Sequence, residues 1–163
     1  MTTWYLLATV VFLLANGFFT ASEIALTAAQ RDRIETLAEG GGLRARVALQ
    51  AMRDLPLMFA SAQLGITITS LGLGFLTESV VADLIQGLVS QVGNPSEALA
   101  HGIAVPIALL TVALAHIIVG EMAPKNAAVA APERVLLAVA VPFRAFTFAF
   151  WIVLWIFNLA GKK

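Results

Sequence analysis

Val119-Gly120-Glu121-Met122-Ala123-Pro124-Lys125 (VGEMAPK) closes an apolar run with a carboxylate, a helix breaker and a cation, in that order. A segment apolar enough for lipid needs a reason to finish that way. Of the 163 residues, 60% are hydrophobic and 12% charged, against about 25% charged in a soluble domain. With a mean hydropathy of +0.89, the chain reads as an integral membrane protein. The formal net charge of zero gives no basic excess to favour nucleic acid as a partner. The absence of cysteine removes thiolate chemistry, haem attachment and cysteine-based zinc sites, and leaves the redox compartment undetermined.

Working outward from VGEMAPK, four apolar stretches stand out: 4–20, 55–76, 103–119 and 135–160. Each approaches the roughly 20 residues that cross hydrocarbon as a helix. No Lys or Arg precedes the first, and Ala15-Asn16-Gly17 is a poor cleavage site, so it reads as a retained span rather than a secretory signal. Arg31, Arg33, Arg44, Arg46 and Arg53 follow the first run; no Lys or Arg falls between Leu76 and Ile103, where Glu78, Asp83 and Glu97 lie; Lys125 and Arg134 follow the third. The chain is expected to be a multi-pass protein of the cell's inner (plasma) membrane, and the positive-inside bias sets its orientation. Its amino terminus and acidic connection are outside; its arginine-rich loop and VGEMAPK end are cytoplasmic.

The fourth stretch breaks this pattern, because a crossing would carry Lys162 and Lys163 outward. Pro142 and Arg144 also fall inside it, where a proline kinks the rod and a mid-bilayer arginine costs at least about 2.5 kcal/mol. It is expected to lie along the inner surface as a bent helical pair, with Arg144 snorkelling and Trp151 and Trp155 at headgroup level; a fourth crossing is the alternative. Over 30–54, Ile34, Leu37, Leu43, Val47 and Leu49 among charges point to helical pieces broken at Gly40-Gly41-Gly42, with a solvated loop as the plainer reading. The second run continues towards Asn94-Pro95, which marks the outer turn, so its helix is long, tilted or broken near Gly72 and Gly74. No internal repeat or soluble second domain is evident.

A carboxylate at membrane depth needs a cation, a proton or a water-filled cavity, which makes Glu121 the first candidate. Pro124 has no amide hydrogen, so the Gly120 carbonyl four residues back loses its helical partner and is free for a ligand. Together they offer two hard oxygens at the negative end of a helix. The plainer reading pairs Glu121 with Lys125 on a solvated helix end. Two other runs shift the balance. NGFFTASEIAL places Asn16, Thr20 and Glu23 on one helical face with Ser22 beside them, and SAQLGITITSLGLG places Gln63, Thr67, Ser70 and Gly74 on a polar stripe expected to face protein. For any single hydroxyl, helix packing or back-bonding is as good an account; for the set, a buried polar site is favoured. His116 reads more readily as a satisfied packing residue than as a ligand or proton relay. The donors are oxygens, which suit Mg²⁺, Ca²⁺ or Na⁺ over Zn²⁺ or Cu⁺.

Taken together, NGFFTASEIAL, AQLGITITSLGLG and GEMAPK, one from each proposed span, resemble the transmembrane domain of the CorC/CNNM family of magnesium transporters. The resemblance implies an all-α integral membrane protein with three transmembrane helices and a cytoplasmic-side belt of juxtamembrane helices. Spans are expected at about 4–28, 55–90 and 103–122, and juxtamembrane helices at about 30–53 and 126–160, all within one transmembrane domain over 1–163. It further implies a homodimer in the lipid bilayer, a cation site in each subunit, and a nucleotide-binding CBS pair after this domain. None follows Lys163, so the chain is expected to be the isolated membrane portion, with nucleotide regulation unassigned. Carried over by motif, Ser22, Ser70, Glu121 and the Gly120 carbonyl are expected to contact Mg²⁺. Asn16, Thr20, Glu23, Gln63 and Thr69 are second choices, as ligands or as groups orienting them. Octahedral oxygen at about 2.0–2.1 Å makes such a cage selective for Mg²⁺ over the larger Ca²⁺.

The leading reading is a secondary Mg²⁺ transporter, with Na⁺ as a candidate coupled ion, and not an enzyme. The alternative is a non-transporting anchor or Mg²⁺ sensor for a cytoplasmic regulatory domain. An intramembrane hydrolase using Ser22 or Ser70 with His116 is disfavoured, because no nucleophile motif surrounds those residues.

Overall fold

The computed structural model describes residues 2–92 and 105–160, and every regular element among them is helical. The outer turn expected at Asn94-Pro95, and Lys162 and Lys163, lie outside the described residues. Helix α1 spans Thr2–Ala28 and α4 spans Leu55–Val92 without a break at Gly72 or Gly74. Within them, Thr3–Ala28 and Leu55–Thr77 are long and apolar enough to cross a membrane. Between them, α2 (Arg31–Glu39) and α3 (Leu43–Arg53) are separated by Gly40 to Gly42, with Gly41 at φ +90°, a conformation that favours glycine. Both helices turn short apolar groups inward, Ile34 and Ala38 from α2 and Ala45, Ala48 and Ala51 from α3, while their arginines are exposed.

The third apolar run departs from the expected stop at Pro124. Helix α5 (Val105–Ala115) widens into a π-helical turn over His116–Met122 and continues as α6 (Ala123–Ala130). The π register is seen in the Ala123 N–H, which donates to the Ile118 carbonyl five residues back. Pro124 then falls in the first turn of α6, where its fixed φ fits the helix although its missing N–H leaves a carbonyl of the preceding turn without a helical donor. The chain breaks instead at Ala131, φ −144° and ψ 64°, because Pro132 pushes the residue before it out of the helical region. There it bends by 119° between 109–130 and 132–149; counted as one broken span, this pair is a third candidate crossing.

Helix α7 (Pro132–Ala149) runs through Pro142, so the junction with α8 (Trp151–Ala160) falls at Phe150 and not at the proline. Packing holds α7 straight enough to bury Leu136, Ala140, Phe143 and Thr147, spaced at helical intervals on one face, against α1. Phe143 meets Phe18 and Phe19 edge-on with centroids 6.4 Å apart, and Phe146 lies 4.6 Å from Phe19. Helix α1 is the hub, packed against α4, the π turn, α6 and α7.

The α1–α4 seam buries only part of the polar stripe read from sequence within the one chain. Gln63, Thr67 and Gly74 are exposed and Ser70 half-buried, whereas Gly65, Thr69 and Leu73 are buried. Register is set by rings on glycines: a Cβ at Gly65 would collide with the Phe19 ring, and one at Gly72 with the Phe12 ring. Gly74 has nothing within 4 Å of its Cβ direction. Gly65→Ala is therefore expected to destabilise the protein by about 1–3 kcal/mol through overpacking, while Gly74→Ala does not destabilise it. Equal melting temperatures for the two variants in detergent would contradict this account of the seam.

At the bend, outside the two long helices, Glu133 Oε1 accepts the Gln30 N–H at 3.3 Å and ties the start of α2 to the start of α7. Its carboxyl is held below the ordinary 4.5 by the hydrogen bond from its own backbone, by that from Gln30 and by nearby Arg33. A lowered folded-state value means the tie is fully present above about pH 4.5 and is lost as pH falls through the lower value. Hydrogen exchange at the Gln30 amide, compared with Glu133→Gln at each pH, should show extra protection that disappears on acidification; identical profiles would exclude the tie.

Candidate functional site

The polar centre is built around Asn16, at the middle of the Thr3–Ala28 span and 0% exposed. An asparagine side chain offers two donors and one oxygen with two lone pairs, and here all four capacities are used. Nδ2 donates to the Gly120 carbonyl at 3.2 Å and to His116 Nε2 at 3.1 Å. Oδ1 accepts from Thr69 Oγ1 at 2.8 Å and Ser70 Oγ at 3.3 Å. Because an amide nitrogen can only donate, His116 Nε2 is the acceptor and the imidazole carries its proton on Nδ1. One side chain thus joins α1, α4 and the π turn. Among the described residues no buried side-chain nitrogen or oxygen lacks a partner.

Local sequence explains the close approach. A Cβ at Gly17 would lie 2.8 Å from Pro124 Cγ and 3.2 Å from the Val119 carbonyl oxygen, so glycine lets α1 rest on the π turn. A Cβ at Gly120 would lie 2.7 Å from His116 Cδ2 and 3.2 Å from Asn16 Nδ2. Pro124 denies Gly120 its ordinary helical donor, and Asn16 supplies one from the neighbouring helix. The carbonyl expected to stand free is therefore occupied by an N–H.

Of the residues expected at the site, Ser70, Thr69, Asn16 and Gly120 come together. Ser22 is fully buried, but its hydroxyl donates to the Phe18 carbonyl at 2.7 Å, one turn back in its own helix. Thr20 is buried and Glu23 half-buried; Gln63, though exposed, reaches Glu23 Oε1 through Nε2 at 3.4 Å. Glu121 is exposed and its carboxylate makes neither a hydrogen bond nor an ion pair with any described residue, so the Glu121–Lys125 pair of the plainer reading is not formed. His116 turns to Asn16 and not to either serine, which leaves no hydrogen-bonded serine–histidine pair among the described residues. Its place in the network was not legible beforehand; its only sequence signal was its position one helical turn before Gly120.

Among the described residues, no group of three or more His, Cys, Asp or Glu side chains gathers as a metal site. What gathers instead is neutral: oxygen from hydroxyls, an amide and a carbonyl, a donor type suited to hard cations, with the His116 imidazole nitrogen beside them.

Helices long enough for the bilayer around a buried polar centre define an all-α membrane domain. The family model described as the cyclin M transmembrane N-terminal domain (CNNM) matches residues 7–163. The chain belongs to that family, whose membrane domains are linked to Mg²⁺ and divalent cation transport. It is similar to UPF0053 protein YhdT of Bacillus subtilis, 35% identical over 93% of this chain and 33% of that protein. It is also similar to the uncharacterized protein Rv1841c of Mycobacterium tuberculosis, 41% identical over 79% of this chain and 36% of that protein. UPF0053 protein YrkA of Bacillus subtilis is 30% identical over 99% of this chain and 37% of that protein. The chain thus spans about a third of the length of the curated relatives it matches.

Replacing Asn16 strands partners on two neighbours, whereas Ser22 serves only its own helix. Asn16→Leu is expected to cost about 1–3 kcal/mol of stability and Ser22→Ala within about 0.5 kcal/mol. Unfolding titrations in mixed micelles giving equal losses would remove Asn16 from its central role.

Proposed function

We propose that this chain is the membrane domain of a secondary Mg²⁺ transporter that binds the ion between α1, α4 and the π turn, with Na⁺ as the candidate coupled ion. The observation that carries the reading is the Asn16 network: uncharged oxygens from separate helices meet at mid-span, beside a helix whose regular bonding is interrupted by Pro124. Interrupted helices with backbone carbonyls at the bilayer midplane are the recurrent way that transporters hold cations. Ser70 and the Gly120 carbonyl are ligands in this reading, with Glu121, exposed one residue from Gly120, and Ser22 completing the set. Asn16, Thr20, Glu23, Gln63 and Thr69 act as ligands or orient them.

In the same reading, three segments cross the plasma membrane with the amino terminus outside, and α2, α3, α7 and α8 form a belt at the cytoplasmic face. The 119° bend before α7 and the exposed arginines of α2 and α3 support that placement. Two copies associate. The exposed Gln63 and Thr67, with Ala60 and Leu64, line a groove of about 270 Å³ on α4, and polar groups at that depth favour protein over lipid as a neighbour. A non-transporting anchor or Mg²⁺ sensor for a cytoplasmic domain is the alternative, favoured by the relatives being about three times as long as this chain.

Losing a charged or hydroxyl ligand is expected to slow Mg²⁺ uptake into proteoliposomes by about tenfold or more for Glu121→Ala and Ser70→Ala, with the exposed Thr36→Ala as control. Wild-type uptake by both variants would refute the transport site. Calorimetric Mg²⁺ binding without flux in the same vesicles would establish the sensor instead.

A further inference from the structure

We propose that the Asn16 amide is reversible: its nitrogen faces Gly120 and His116 in one state, as seen here, and its oxygen faces them when a divalent cation binds. Thr69 and His116 are the positioning residues for the two states. The inference rests on the cation-site reading above and deepens it.

The first state is fixed from the π-turn side. The Gly120 carbonyl oxygen and His116 Nε2 each aim a lone pair at Asn16 Nδ2, at 3.2 and 3.1 Å. The positive end of the amide stands where these lone pairs converge, in place of a positive ion. Turning the amide brings Oδ1 to the same spot, so that three electron-rich atoms face one another. That arrangement is repulsive in a low dielectric unless a cation sits among them. The reversed orientation is therefore stabilised by the ion and by little else, which is what couples the two events.

The α4 side makes reversal cheap. Thr69 Oγ1 has one proton and three acceptors in reach: Asn16 Oδ1 at 2.8 Å, the Gly65 carbonyl at 2.8 Å and the Ile66 carbonyl at 3.0 Å. When the amide turns, Thr69 gives its proton to its own helix and presents a lone pair to the incoming Nδ2. Ser70 Oγ, 3.3 Å from the amide, is likewise able to donate or accept. Each amide hydrogen thus has a partner in both states. On the other side, Gly120 lacks the Cβ that would press on Asn16, which leaves the amide room to rotate. His116 Nε2 offers its lone pair to the amide in the first state and to the cation's surroundings in the second.

The test uses the full chain in lipid nanodiscs, labelled with nitrogen-15 at asparagine and histidine. The Nδ2–H to Nε2 bond between Asn16 and His116 gives a nitrogen–nitrogen coupling across the hydrogen bond. It should be present without MgCl2 and vanish at saturating MgCl2. A coupling that persists while calorimetry reports bound Mg²⁺ overturns the reversal and leaves the transport reading standing. No Mg²⁺ binding by calorimetry overturns both.

Two substitutions separate positioning from packing. Thr69→Val keeps the shape and loses the swinging hydroxyl; in the first state Oδ1 still has Ser70, whereas in the second an amide hydrogen is stranded, so Mg²⁺ affinity should fall about tenfold. Thr69→Ser loses a methyl and keeps the hydroxyl, and should bind within about twofold of the parent. A role in packing alone predicts the opposite order, and that order would overturn the proposal.

Discussion

The arrangement of the helices depends on how one buried amide is satisfied. Asn16 sits midway along an apolar helix, where water is not at hand to complete its bonding and an unpaired amide costs several kcal/mol. Its partners come from α4 and from the π turn, so neither can slide or rotate without stranding a donor or an acceptor. Each such bond is worth only about 0.6–2 kcal/mol within a bilayer. Its larger effect is on register: once Asn16 faces Thr69 and Gly120, Phe18 and Phe19 must face Phe143, and the position of α7 follows.

Helices among lipid tails gain little from the hydrophobic effect and must hold together by close packing. The structure meets that need with glycine wherever two elements touch most tightly. Gly65 and Gly72 receive phenylalanine rings from α1, and Gly17 receives the Pro124 ring and the Val119 carbonyl. These contacts also explain why a proline in an apolar run does not end the helix. Pressed against Gly17, Pro124 is held in the first turn of α6, and the π turn before it takes up the extra residue. The carbonyl that this irregularity exposes is the one Asn16 caps, so the glycine, the proline and the asparagine form one device.

Much of this was legible in the sequence, and the failures have physical causes. Helical class, the long runs and the break at Gly40 to Gly42 follow from composition and from residues that act locally. The gathering of Asn16, Thr69, Ser70 and Gly120 also followed from polar residues in three apolar runs, though Asn16 ranked below Ser22 and Glu121. Chemical hardness ranks those residues by donor type, but it says nothing of where a side chain points. Ser22 proved to be bonded to its own helix, and Glu121 lies outside the network. The stripe Gln63, Thr67, Ser70 and Gly74 obeyed helical spacing yet marked a largely exposed face, because spacing fixes which residues share a side and not which side is buried. Pro124 and Pro142 were read as breaks by a local rule that tertiary contacts overrode, whereas Pro132 acted through Ala131 as the same local rule requires.

The composition of the network bears on how such a site would handle a small divalent ion. Dipolar oxygens alone repay little of the cost of stripping water from Mg²⁺, whereas several carboxylates in a dry pocket would hold it too firmly to let it go. A passage site needs an intermediate strength. Here the buried members are all neutral, and Glu121, the next residue after Gly120, is exposed. The charge that would attract the ion and the dipoles that would surround it are thus adjacent in the chain but differ in exposure. They are joined by a π turn, the least regular piece of helix in the structure. How far the exposed carboxylate can join the buried dipoles around an ion, and so the strength of the site, then depends on how that one turn is wound.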